Sequence, residues 1–376
     1  MTHVFRRVRS RDLPVAAQAH GAWIVDAEGR RYLDAAGGAI VVNVGHGDPA
    51  LVAAMGEQAA RVDYVHGTAF TTEALEGYAD ELAPFLPIDD PSIYPVSGGS
   101  EAVETALKMA RAYHLARGEA DRDVVVARLG SYHGNTVGAL DASGKEPLRA
   151  PYASWLGRTR HVSAAYEYRC ALPGHPAGCG VALADELDRT IREVGPSRVA
   201  AFIAEPVAGA TLAGAVPPAD YWPAVAEVCR RHGVLLVADE VMTGFGRTGR
   251  WFGIEHWDVR PDLLTCAKGS TSGVFPFGFA AASRAVVDAI GPSGFVHGFT
   301  FSHSAVGSAV AREVLRILRE EDLVTASAAK GEQLRALLAE RLGEHPHVGE
   351  IRGRGLMVGL EIVADRATTT AFPRAE

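Results

Sequence analysis

The apolar positions of this chain fall into short runs separated by longer stretches of helical spacing. Val124–Leu129, Val199–Ala204, Val234–Ala238, Leu263–Ala267 and Phe277–Ala282 are strand-like runs, most of them bounded by Gly, Pro or charge. Ser100–Arg117 instead places Val103, Leu107, Ala110 and His114 on one face of a helix. Leu183–Val194 and Tyr221–His232 are further helix-like stretches. Strands alternating with helices predict an α/β fold with a mostly parallel central sheet. Near the start, Ala22–Val25 and Arg31–Leu33 read as short strands around the turn Asp26-Ala27-Glu28-Gly29. Near the end, Ala305–Arg319 and Val324–Leu342 read as long helices. Gly349–Val363 turns strand-like again around Arg352-Gly353-Arg354-Gly355. The expected division is an N-terminal segment with part of a small domain (1–63), a large α/β domain (64–289), and a helix with the rest of a smaller α+β domain built from both chain ends (290–376).

Composition narrows the class. A chain of 376 residues is long enough for two domains and a sizeable core. Its 37 basic and 45 acidic side chains leave a net charge of −8, which argues against nucleic acid as a partner. No apolar run reaches the about 18 residues of a membrane helix. The basic start (Arg6, Arg7, Arg9, Arg11) is followed by no apolar core, so no signal peptide is expected. Four scattered cysteines suit a reducing, cytoplasmic setting rather than a disulfide framework.

Only four lysines occur: Lys108, Lys145, Lys268 and Lys330. Lys108 lies four residues after Glu104, a common surface ion-pair spacing, and Lys330 lies on an amphipathic helix. Lys145 sits in a Ser-Gly-Lys-Glu turn and reads as a surface residue. Lys268 ends the apolar run Leu263–Ala267 and enters Gly269-Ser270-Thr271-Ser272-Gly273. A lysine so placed is desolvated, which lowers its pKa and favours the neutral amine needed for a Schiff base. Asp239 follows the run Val234–Ala238, at a strand end where open sheets place ligands. A metal ligand or a capping acid would also suit that position, but Asp with Lys is the pair that pyridoxal phosphate sites use. Gly98-Gly99-Ser100 leads straight into a helix, a start that suits an anion as well as an ordinary cap. Tyr132 in Gly130-Ser131-Tyr132-His133-Gly134 is placed to stack on a flat ring. Glu205 and the polar turn Gly298-Phe299-Thr300-Phe301-Ser302 complete the series.

Taken in order, these residues resemble the class III aminotransferases, pyridoxal 5'-phosphate enzymes of fold type I. The likeness runs from about Ala22 to Val363 and includes Gly29–Asp34, Gly45-His46-Gly47, Ser97–Ala102, Tyr132–Thr136, Ala204–Val207, Asp239 through Gly249, and Ala267-Lys268-Gly269. The resemblance implies that Lys268 binds the cofactor covalently and carries the substrate proton, and that Asp239 keeps the pyridine nitrogen protonated. It implies that Val241 and Tyr132 pack on the ring faces and that Gly98, Gly99 and Ser100 bind the phosphate. His133 joins the cofactor-binding set, Glu205 lies on the substrate side, and Glu101 supports Asp239 from behind. Thr300 reaches the phosphate of a neighbouring subunit, which implies a homodimer with shared sites.

The implied reaction moves an amino group between an ω-amino acid or amine and a 2-oxo acid, pyruvate or 2-oxoglutarate, in a ping-pong cycle. Aminomutases and decarboxylases of the same fold are the alternatives, as is a pyridoxal-phosphate-binding protein with impaired catalysis. A nicotinamide enzyme fits poorly, because no Gly-x-Gly-x-x-Gly opens a helix after the first strand. The chain departs from the family pattern after Thr300, where it reads His303-Ser304-Ala305, and at Ala39-Ile40, where many members carry an aromatic. It ends at Glu376, earlier than family members, so a short C-terminal part of the small domain is expected, with Leu356, Val358 and Leu360 open to solvent. Cys170, His175 and Cys179 share a Gly/Pro-rich loop. Zinc would need a fourth ligand there, so a plain surface loop is expected and no metal site.

Overall fold

The computed structural model describes residues 3–8, 12–172, 178–292 and 294–373. Arg9, Arg11, His175 and Glu376, named above, lie outside the described residues. The chain opens with β1 (Ala16–His20), β2 (Trp23–Asp26) and β3 (Arg31–Leu33), an antiparallel sheet in that order. Asp26 shapes the turn between the last two. Its Oδ1 accepts from the Glu28 and Arg30 N–H groups at 3.0 and 2.8 Å, and its Oδ2 accepts from the Tyr32 hydroxyl at 2.8 Å.

The central sheet contains β4 (Ser92–Val96), β5 (Val124–Arg128), β6 (Thr159–Val162), β7 (Val199–Ala204), β8 (Leu235–Asp239), β9 (Leu263–Cys266) and β10 (Gly278–Ala282). Their spatial order is β4-β10-β9-β8-β7-β5-β6. From β9 to β6 every neighbouring pair is parallel, while β10 runs antiparallel to both its neighbours. The mostly parallel sheet expected from the apolar runs is therefore present, with one reversed strand.

Those runs are apolar throughout because both faces are covered. Ala201 and Ile203 of β7, with Leu235 and Val237 of β8, pack with Val103, Ala106 and Ala110 of the helix Gly99–Ala116. The alternate residues Phe202, Ala204, Leu236 and Ala238 pack on the other face with Leu187 and Ile191 of helix Gly180–Val194 and Trp222 of helix Tyr221–His232. The side-chain period of two thus splits each strand between two cores.

The helix Ala305–Glu320 lies against helices Pro49–Arg61 and Glu73–Leu82, sharing a core of Val310, Val314, Leu51 and Tyr78. Helix Leu323–Leu342 covers the hairpin of β11 (Val348–Arg354) and β12 (Met357–Ile362). The N-terminal sheet and this hairpin are separate sheets. In the hairpin Met357 is buried, Val358 and Leu360 are half-buried and Leu356 is exposed. Arg352 ties the hairpin to the large sheet's loops, donating to Glu361 Oε2 at 2.9 Å and to the Leu212 carbonyl at 2.8 Å. No helix among the described residues is long and apolar enough to cross a membrane.

Candidate active site

Strand register brings the acids and the lysine together. Ala204 of β7 pairs with Ala238 of β8, and Asp239 pairs with Thr265 of β9. Glu205, Asp239 and the segment after Cys266 therefore stand side by side at the carboxyl edge of the parallel strands, where open α/β sheets bind ligands. Lys268 begins the turn after β9 with a φ of +43°, the left-handed region that non-glycine residues rarely occupy. Surrounding contacts hold it there. Asn43 Nδ2 donates to the Gly269 carbonyl at 3.1 Å, and the Asn43 N–H donates to Ser272 Oγ at 3.1 Å. Burial pushes the Lys268 amine below its ordinary pKa, against the pull of Asp239 and Glu205.

Asp239 is buried and held by three donors. His133 Nδ1 lies 2.6 Å from its Oδ2, while Thr265 Oγ1 and the Val241 N–H each donate to Oδ1 at 3.1 Å. A carboxylate only accepts, so the His133 proton sits on Nδ1. Glu205 is also buried. Its Oε1 accepts from the Tyr132 N–H at 3.1 Å, and Arg128 Nη2 lies 3.6 Å from its Oε2. The same guanidinium donates to the Glu205 carbonyl and sits 5.7 Å from the rings of both Tyr221 and Trp222.

Opposite these acids the helix Gly99–Ala116 starts at an N-cap glycine, Gly98, with no side-chain cap among the described residues. Its first N–H groups are thus left for an anion. A Cβ on Gly99 would stand 2.9 Å from Val241 Cγ1, so only glycine allows this approach. Gly134, at φ +145°, likewise lies where a Cβ would meet Ser100 Oγ at 2.6 Å. That hydroxyl donates to Asn135 Oδ1 at 2.9 Å and accepts from the Asn135 N–H at 3.1 Å. Gly98, Gly99, Ser100, Tyr132, His133, Glu205, Asp239, Val241 and Lys268 all line one cavity of about 330 Å³. A second cavity of about 930 Å³ shares Tyr132, Gly134, Met242 and Lys268 with the first.

Comparison with known proteins gives the family. The family model for class III aminotransferases matches residues 6–376. The chain belongs to the class III aminotransferases. Over 371 residues it is 36% identical to the putrescine–pyruvate aminotransferase of Pseudomonas aeruginosa, covering 98% of this chain and 81% of that one. A thermostable (S)-enantioselective omega-transaminase from Thermomicrobium roseum superposes with a TM-score of 0.93 at 40% identity, covering 99% of this chain and 84% of that one. An omega transaminase from Pseudomonas jessenii in complex with PMP gives a TM-score of 0.93 at 30% identity, covering 98% and 84%. This aminotransferase is accordingly a pyridoxal-phosphate enzyme of fold type I.

The cavity fits that cofactor. The uncapped helix start suits a phosphate dianion, Asp239 suits a protonated ring nitrogen, and the Lys268 amine lines the same space. Two expectations need amending. Glu101 does not support Asp239: its carboxylate folds back toward Gly98, within 2.9 Å of where a Cβ there would lie, and the donors to Asp239 are those named above. Lys145 is not a plain surface residue, because it lines the larger cavity. Thr300 is exposed and lies outside the cavity of its own chain. Arg128 is not legible in the sequence, since the last residue of an apolar strand carries no local sign of pairing with an acid 77 residues away. Among the described residues no group of three or more His, Cys, Asp or Glu side chains is placed to hold a metal.

Proposed function

We propose that this aminotransferase moves an amino group from an amine or ω-amino acid to a 2-oxo acid, with Lys268 and Asp239 as its catalytic residues. The carrying observation is that the Lys268 amine, the Asp239 carboxylate and the uncapped glycine helix start face one cavity. Pyridoxal phosphate bound there supplies an electron sink for charge developing on the substrate carbon.

Lys268 acts as nucleophile and proton carrier. Its burial lowers the amine's pKa, so a larger fraction is neutral near neutral pH and able to take a proton. Asp239 presents its carboxyl group from a buried setting, and its three donors stop it from turning away. The N–H groups at Gly98, Gly99 and Ser100 anchor the phosphate, and Val241 and Tyr132 confine the ring. Glu205, held by Arg128, fixes the backbone at Tyr132. The putrescine–pyruvate relative supports an amine donor and pyruvate as acceptor.

Thr300 belongs, in this reading, to a site shared across a homodimer. The exposed apolar side chains of Phe70, Val296 and Phe301 support burial against a second copy. A reducing compartment suits the four cysteines, which stand as free thiols. Replacing Lys268 with Ala tests the assignment: turnover falls by at least about 10³-fold while the variant still binds pyridoxal phosphate. Turnover within about tenfold of the parent chain would remove Lys268 from its role.

A further inference from the structure

The larger cavity has a wall of one charge sign. Its neutral lining is mostly apolar, with Ile40, Leu140, Trp155 and Met242 among the residues that form it. The charged side chains that line it are Lys268, Lys145 and Arg7, and among the described residues no carboxylate does. Lys268 is reserved for the chemistry and Arg7 is exposed, which leaves Lys145 as the half-buried cation of this wall.

The backbone leading into Lys145 is pinned, and its side chain is unpaired among the described residues. The neighbouring Gly144 N–H donates to the Ser131 carbonyl at 3.0 Å, and its carbonyl accepts from the Gly130 N–H at 3.0 Å. Its backbone is thereby pinned to the strand end that carries Tyr132. Arg149 Nη1 reaches back across Lys145 and donates to the Ser143 carbonyl at 2.6 Å. Of the acids on this segment and on the helix beside it, Glu146 is exposed and does not line the cavity, while Asp141 and Glu104 are engaged elsewhere. Asp141 accepts from the N–H groups of Gly157, Arg158 and Thr159, at 2.8, 3.0 and 2.9 Å, and Glu104 accepts from that of Gly138 at 3.0 Å. Among the described residues Lys145 makes no ion pair. A half-buried ammonium in an apolar wall favours an anionic partner and repels a second cation.

We infer that Lys145 sets donor specificity, selecting amines that carry a carboxylate or sulfonate at the end remote from the amine and disfavouring diamines. The inference rests on the aminotransferase reading above and names the substrate class for it. The test compares β-alanine, propylamine and putrescine as donors in the parent chain, Lys145→Met and Lys145→Glu, each loaded with pyridoxal phosphate. The ratio of kcat/KM for β-alanine over propylamine falls about 10- to 100-fold in Lys145→Met, mainly through KM, as the loss of a charge-assisted hydrogen bond requires. In Lys145→Glu the preference moves toward putrescine. Binding of propanesulfonate, which has no amine, read by tryptophan fluorescence, weakens in parallel. Ratios and binding unchanged in both variants, with donors still reacting, overturn the role of Lys145 alone. If no donor alters the cofactor's absorbance in the parent chain, the aminotransferase reading itself fails.

Discussion

His133 Nδ1 stands 2.6 Å from Asp239 Oδ2, with both side chains buried. The pair joins the Tyr-His-Gly turn after β5 to the acid at the end of β8. Removing the imidazole leaves a buried carboxylate with one donor fewer. A charge-assisted hydrogen bond contributes about 1.5–3 kcal/mol, so His133→Phe slows the first half-reaction by about 10- to 150-fold. Asp239→Asn, which removes the charge itself, slows it by about 10²- to 10⁴-fold. Rapid-mixing measurement of cofactor absorbance with one donor gives both rates. A His133→Phe rate equal to that of the parent chain would refute the positioning role.

Gly99 and Val241 test the cofactor cradle. Because a Cβ on Gly99 would press on Val241 Cγ1, Gly99→Ala displaces the side chain expected to confine the ring. Overpacking of this kind costs about 1–3 kcal/mol, so the dissociation constant for pyridoxal phosphate rises about 5- to 150-fold. Adding Val241→Ala opens the space again and restores a large part of the affinity. Unaltered cofactor affinity in Gly99→Ala would mean that the ring binds away from this wall.

Glu240, next to Asp239, carries a pH signature. It is buried and accepts from the Gly253 and Ile254 N–H groups, each at 2.8 Å, and from the Thr243 hydroxyl. Burial pushes its pKa up from 4.5 to about 7, outweighing those bonds. A carboxyl whose folded pKa is raised holds its proton longer in the native state. Its stabilising contribution is full below pH 4.5 and is lost as pH rises to about 7. Thermal unfolding of the chain and of Glu240→Gln, followed across that window, therefore diverges. The chain loses about 3 kcal/mol relative to the variant by pH 8. Parallel stability curves would show that the three donors outweigh burial.

Much of the large sheet is legible in the sequence because β7, β8 and β9 are covered on both faces, which makes their runs continuous. The two edges are harder to read. Pro95 interrupts β4, which an edge strand tolerates, and Arg160 and His161 break the apolar run of β6. Lys268 and Asp239 stand out because each terminates an apolar run. Lys145 does not: its sequence neighbours are those of a surface turn, and only the folding of 137–156 over the end of β5 brings it to the cavity. Arg128 and Glu205 are paired by strand order, which local patterning does not encode.

The most direct test of the central claim is the visible absorption of the purified 376-residue chain with pyridoxal phosphate, recorded through one full cycle. The account predicts that an amine donor bleaches the bound cofactor's band without a 2-oxo acid present, and that pyruvate then restores it, with neither change in Lys268→Ala. A cofactor band that forms but responds to no donor, or one that bleaches equally fast without Lys268, would contradict it.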